Sequence, residues 1–260
     1  MQAGLVALPQ PRRFASLDTF RSPWWALVPA LSIVVVIGVI ALAGESATFL
    51  SWLALIAVPP FAALALGWLV RGGRPAWALA SVPLFALAWA SPGSLAGEAA
   101  ATALTAFGCI GLGWLLVSVA PAAWLKLGIY AMAAIDTWFV AAKLLQGPNA
   151  VLTAAAPSGL PRLQAIHFGD ALMGFGDLFV AATLGCLLAV SARHQRLGAL
   201  LVAILALAFD LLFFAVDTLP ATVPVALALG LIELWDRRVN GTTRRNPGSP
   251  QPPRRAGPRG

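Results

Sequence analysis

Apolar runs of about 20 residues recur along nearly the whole chain, each closed by a short cluster of glycine, proline or charge. A helix of that length matches the roughly 30 Å hydrocarbon core of a bilayer. The pattern predicts about eight membrane-spanning helices, over 24–43, 49–70, 76–91, 100–120, 127–146, 166–191, 198–216 and 220–235. A membrane β-barrel would need short segments alternating at a period of two, and none are visible. The expected fold class is an all-α polytopic membrane protein. Composition agrees, with 60% of the 260 residues apolar, 10% charged and a mean hydropathy of +0.84.

The basic residues orient these spans. With the N-terminus inside, Arg12, Arg13, Arg21, Arg71, Arg74, Lys126, Arg193, Arg196 and the seven arginines after Asp236 all fall on the inner side. Only Lys143 and Arg162 of the 17 Lys and Arg residues fall outside. That asymmetry predicts both termini in the cytoplasm and an even number of spans. The compact size suggests a prokaryotic cell membrane.

Four parts follow: a cytoplasmic segment 1–23, an N-terminal four-helix part 24–120, a second membrane part 121–235, and a basic tail 236–260. The tail is rich in Arg, Pro and Gly and has no apolar period, so disorder is expected there. The net charge of +7 sits in short inner loops and the tail. It points to anionic membrane lipid as a partner and not to nucleic acid. Cys109 and Cys186 lie within spans, which argues against a disulfide, and the two histidines and two cysteines form no metal-ligand spacing. No metal and no cofactor are implied.

The acids carry the candidate chemistry. Asp136 falls at the middle of the fifth expected span and Asp177 near the middle of the sixth, within Gly174-Phe175-Gly176-Asp177. A carboxylate at bilayer depth costs several kcal/mol, so such a residue marks a functional site by default. Neighbouring antiparallel helices would make the two acids face each other. Gly174 and Gly176 remove side chains beside Asp177 and leave room for another backbone. Asp170, near the outer end of the same span, reads as interfacial, and Asp210 as a residue of a hydrated cavity or a partner of His194 or an Arg. Two adjacent carboxylates can share one proton, so one takes a proton from water while the other polarises a scissile carbonyl. That is the apparatus of aspartyl proteolysis.

These residues resemble the GxGD intramembrane aspartyl proteases, the family of presenilin, signal peptide peptidase and their microbial homologues. In that family one catalytic Asp follows a Tyr mid-helix, the next helix carries Gly-x-Gly-Asp, and Pro-Ala-Leu opens a helix two spans on. Here Ile135-Asp136, Gly174-Phe175-Gly176-Asp177 and Pro220-Ala221-Thr222 stand in those places, in that order. The chain departs at Ile135 for Tyr and Thr222 for Leu, and has four expected spans ahead of Asp136 instead of five. The resemblance covers residues 127–235.

It implies a presenilin/signal peptide peptidase-like bundle and an intramembrane endopeptidase with Asp136 and Asp177 as the catalytic pair. Gly174, Phe175, Gly176, Pro220 and Ala221 would line the substrate site. The substrates would be transmembrane helices or signal-peptide remnants. The inferred direction of the Asp136 helix is similar to signal peptide peptidase.

Other readings stay open on the same residues. A proton- or cation-coupled transporter would use Asp136, Asp177 and Asp210 as binding or relay groups. A catalytically silent relative would bind membrane helices without cutting them. Type IV prepilin peptidases also use Gly-x-Gly-Asp, but typically with a Lys shortly after the Asp, where this chain has Phe179 and Val180.

Overall fold

The computed structural model describes residues 1–12, 17, 23–27, 31, 34, 38, 43–142, 159–168, 171–214 and 219–244. Most of the first expected span, Asp170 and the tail from residue 245 lie outside these. The described chain is mostly helical. It runs α1 (Gln2–Ala7), α2 (Ala43–Leu64), α3 (Ser81–Ala90), α4 (Leu95–Val119) and α5 (Ala122–Ala141). A hairpin of β1 (Ala165–Phe168) and β2 (Ala171–Gly174) follows, and then α6 (Phe175–Leu188), α7 (Ala192–Asp210) and α8 (Val223–Arg244).

Local sequence explains most of the boundaries. A π-helical turn, Ala65–Leu69, ends α2, and the extended Val70 and positive-φ Gly72 stop it. Ser94 caps α4 by accepting from the Gly97 N–H at 3.1 Å, and Glu98 in the first turn faces the positive end of the helix dipole. Ser191 does the same for α7.

Helices α4 and α6 form the centre. α4 packs against α2, α3 and α6, while α7 and α8 close the far side. Glycines let these axes approach: a Cβ on Gly111 would lie 2.4 Å from the Phe61 carbonyl, and one on Gly113 3.1 Å from the Thr183 nitrogen. The buried core runs through Ile110, Trp114, Leu178, Ala181, Leu184, Val225 and Leu229. Large apolar residues also face outward, among them Trp52, Ile56, Val82, Trp89, Ile204 and Leu207. A soluble surface rarely shows such continuous apolar faces, whereas a lipid-facing one requires them.

Three described helical segments are long and apolar enough to cross a membrane: Ala47–Leu69, Leu95–Val119 and Ala192–Asp210. This fits a helical membrane protein, but the expected eight spans are not met among the described residues. Pro75–Ala90 and Phe175–Leu188 are apolar but shorter. α5 and α8 carry Lys126 with Asp136 and Glu233 with Asp236, charges that dilute their apolar stretches.

The expected helix over 166–191 is corrected outright. Its first third is the hairpin, with Ala165 opposite Gly174 and Phe168 opposite Ala171. A stretch of that length, with only His167 and Asp170 among its small and apolar residues, has no period that separates a strand from a helix. The last helix runs to Arg244, past the boundary expected at residue 235, with Asp236 paired to His194 at 3.0 Å.

The N-terminal residues take a position no periodicity foretold. α1 packs into the bundle against α6 and α7, with Leu5 and Val6 essentially inaccessible. A Cβ on Gly185 would fall 2.4 Å from the Leu5 carbonyl, so the two backbones touch. Gln195, itself buried, donates to the Val6 and Pro9 carbonyls at 2.9 and 2.7 Å and accepts from Arg71. Pro9 also bridges to Val70.

Candidate functional site

Asp177 is not mid-helix. It is the third residue of α6, and its Oδ2 accepts from the N–H of the residue that precedes the helix, Gly174, at 3.2 Å. An acid at this position satisfies one of the donors a helix start leaves unpaired and sits at the positive end of the dipole. The hairpin sets where that start falls. Thr105 of α4 donates to the Leu163 carbonyl at 3.2 Å, the Phe175 N–H donates to Gln164 at 3.3 Å, and the Cys109 thiol reaches the Phe175 carbonyl at 3.9 Å. Phe175 stacks on Phe179 with ring centroids 6.5 Å apart.

Asp136 lies in the second half of α5, and its partner comes from the start of α8. Thr222 gives both its backbone N–H (3.3 Å) and its hydroxyl (2.7 Å) to Oδ2 of Asp136. Thr222 is fully buried, Pro220 is buried and Ala221 half-buried. The start of α8 is built by the Thr222 carbonyl accepting from Ala226 at 3.1 Å and the Pro220 carbonyl from Val223 at 3.3 Å. Asp136 therefore serves α8 much as Asp177 serves α6. Each acid is held at a helix N-terminus.

α5, α6 and α8 pack against one another and bring Asp136 near Asp177. Both acids are partly accessible. The glycines beside Asp177 open space instead of packing. A Cβ on Gly176 would meet nothing within 4 Å, and one on Gly174 only the Asp177 Oδ2 at 3.4 Å. The α5 backbone does not fill this gap.

The other acids are elsewhere. Asp210 is exposed at the end of α7, and His194 pairs with Asp236 instead. Glu233 pairs with Lys126 at 2.9 Å and accepts from the Tyr130 hydroxyl at 3.1 Å, tying α8 to α5. Two polar residues of the site escaped the sequence. Thr222 could have been read from the preference for Thr just ahead of a helix. Gln2, which donates to the Ala221 carbonyl at 2.7 Å, gave no signal at all.

Compared with known proteins, the chain matches no family model, no curated protein and no solved structure.

Proposed function

We propose that this protein is an intramembrane aspartyl endopeptidase in which Asp136 and Asp177 are the catalytic pair. The observation that carries the reading is the convergence of three separated sequence motifs. Ile135-Asp136, Gly174-Phe175-Gly176-Asp177 and Pro220-Ala221-Thr222 come together where α5, α6 and α8 meet. Their relation to the GxGD family rests on those motifs, and a bundle of that family's type, in a multi-pass protein of a prokaryotic cell membrane with both termini inside, belongs to the same proposal.

The chemistry asks for water, two carboxyl groups and an extended peptide. One carboxylate accepts a proton from water as its oxygen attacks the scissile carbonyl carbon, and the other carboxyl gives its proton to the carbonyl oxygen. The tetrahedral intermediate then breaks its C–N bond as a proton passes to the leaving amine. A helical carbonyl is shielded by its own hydrogen bond, so the substrate helix must first unwind. β2 ends on Gly174, and its edge away from β1 has no strand partner among the described residues. Such an edge can hold an unwound segment as an added strand. The space over Gly174 and Gly176 would take its backbone.

The test is cleavage of a panel of fluorogenic transmembrane peptides by detergent-purified protein, wild type beside Asp136→Asn and Asp177→Asn. The proposal expects cleavage that both substitutions abolish and that a hydroxyl-bearing transition-state mimic blocks. Substantial cleavage by either variant would end the pair assignment. Proton-coupled uptake into vesicles, lost in the same variants without any cleavage, would make the protein a carrier.

A further inference from the structure

Resting on that reading of the site, we propose that Gln2 is a positioning residue for Asp136, acting through a single peptide group. The carbonyl of Ala221 and the N–H of Thr222 belong to the same peptide plane. Gln2 Nε2 donates to that carbonyl at 2.7 Å, and Asp136 Oδ2 accepts from that N–H at 3.3 Å. The plane is clamped from both ends. A donor on the carbonyl polarises the amide and strengthens the bond its N–H makes on the other side. With the plane fixed, the Thr222 hydroxyl is aimed at the same carboxylate oxygen.

A clamp works only if its base is rigid. Gln2 is 5% exposed and lies on a helix wedged between α6 and α7. The backbone of that helix at Leu5 and Val6 contacts Gly185, and Gln195 holds the segment through the Val6 and Pro9 carbonyls. A surface tail would not need a buried side chain to hold its carbonyls. The first ten residues are thereby a wall of the candidate site, and their removal would free the Pro220–Thr222 segment.

The test separates this proposal from the protease reading by measuring the carboxyl group itself. Full-length protein in detergent is treated with dicyclohexylcarbodiimide, and modification of Asp136 is followed by peptide mass spectrometry, with Asp210 as the internal control. Gln2→Met keeps the side chain's length without the donor, and Gln2→Leu, shorter and also without a donor, is the second variant. Folding is checked by gel filtration. Asp136 should be modified about five-fold faster in both, the scale set by losing one hydrogen bond, with Asp210 unchanged. Peptide cleavage should lose kcat by a similar factor while KM stays within about two-fold.

Modification rates at Asp136 equal to wild type in a folded variant would overturn the clamp. A wild type that cleaves nothing, while its Asp136 still responds to Gln2, would keep the clamp and remove the protease reading. Cleavage with an unresponsive Asp136 would do the reverse.

Discussion

Thr222 places two donors on one oxygen of Asp136, its backbone N–H and its hydroxyl. Thr222 thus fixes the rotamer of the first candidate acid, and it does so from the segment that opens α8. The position of that carboxyl group is coupled to how α8 begins.

The hydroxyl's share can be isolated. Thr222→Val keeps the shape and the backbone donor but leaves Asp136 one partner short, in a setting where a net hydrogen bond contributes about 1 kcal/mol. Cleavage should fall up to about ten-fold, and Thr222→Ser should restore most of it. Michaelis kinetics of the two variants on one transmembrane peptide decide this. Equal loss in both would mean that the hydroxyl does not orient Asp136.

The pair itself makes a larger prediction. Asp136→Asn still offers Thr222 an acceptor, and Asp177→Asn still offers one to Gly174, so both variants should insert and fold. Neither can exchange a proton with water, and cleavage should drop by at least about a hundred-fold in each. Membrane yield, melting temperature and turnover measured side by side check both halves of the expectation.

How far the chain betrays this arrangement depends on the length of the signal. Residues 49–70 and 100–120 are long, charge-free and mostly apolar runs, and both are helices near the expected limits. The stretch from Ala165 to Gly174 mixes apolar residues with His167 and Asp170 and is too short for its period to separate strand from helix, so the sequence places Asp177 near the middle of a helix of which it is the third residue. Asp three residues after Gly174 was in fact a helix-start signal. The docking of Gln2 and Gln195 was illegible for a different reason. Their bonds span 219 and 186 residues or more, and six residues of helix offer no amphipathic repeat to read.

Gln195 should be among the least replaceable polar residues. It is 1% exposed, and Gln195→Leu would strip the Val6 and Pro9 carbonyls of their donor in a region water does not reach. Each buried carbonyl left unpaired costs about 1–3 kcal/mol. The variant should melt well below wild type in detergent, whereas Arg196→Leu, exposed one residue on, should not. Thermal unfolding curves for the two variants provide the comparison.

Two glycines of α6 should answer oppositely to the same small change. Gly185→Ala would drive a methyl group into the Leu5 carbonyl at 2.4 Å and the Val6 Cα at 2.7 Å, both backbone atoms that cannot turn aside. α1 must shift or leave, at a cost of about 1–3 kcal/mol for overpacking, and cleavage should fall along with stability because Gln2 moves with it. Gly176→Ala meets nothing within 4 Å, so the fold should lose nothing and the helix should gain up to about 1 kcal/mol from the lower backbone entropy of alanine. Yet the methyl group would stand where the substrate backbone is expected to lie beside Asp177. Melting temperature and kcat/KM measured on both variants separate the two cases. The pattern expected is loss of both quantities for Gly185→Ala, and loss of kcat/KM with unchanged or raised stability for Gly176→Ala. A Gly176→Ala protein that cleaves as well as wild type would show that the open space beside Asp177 is not where the peptide binds.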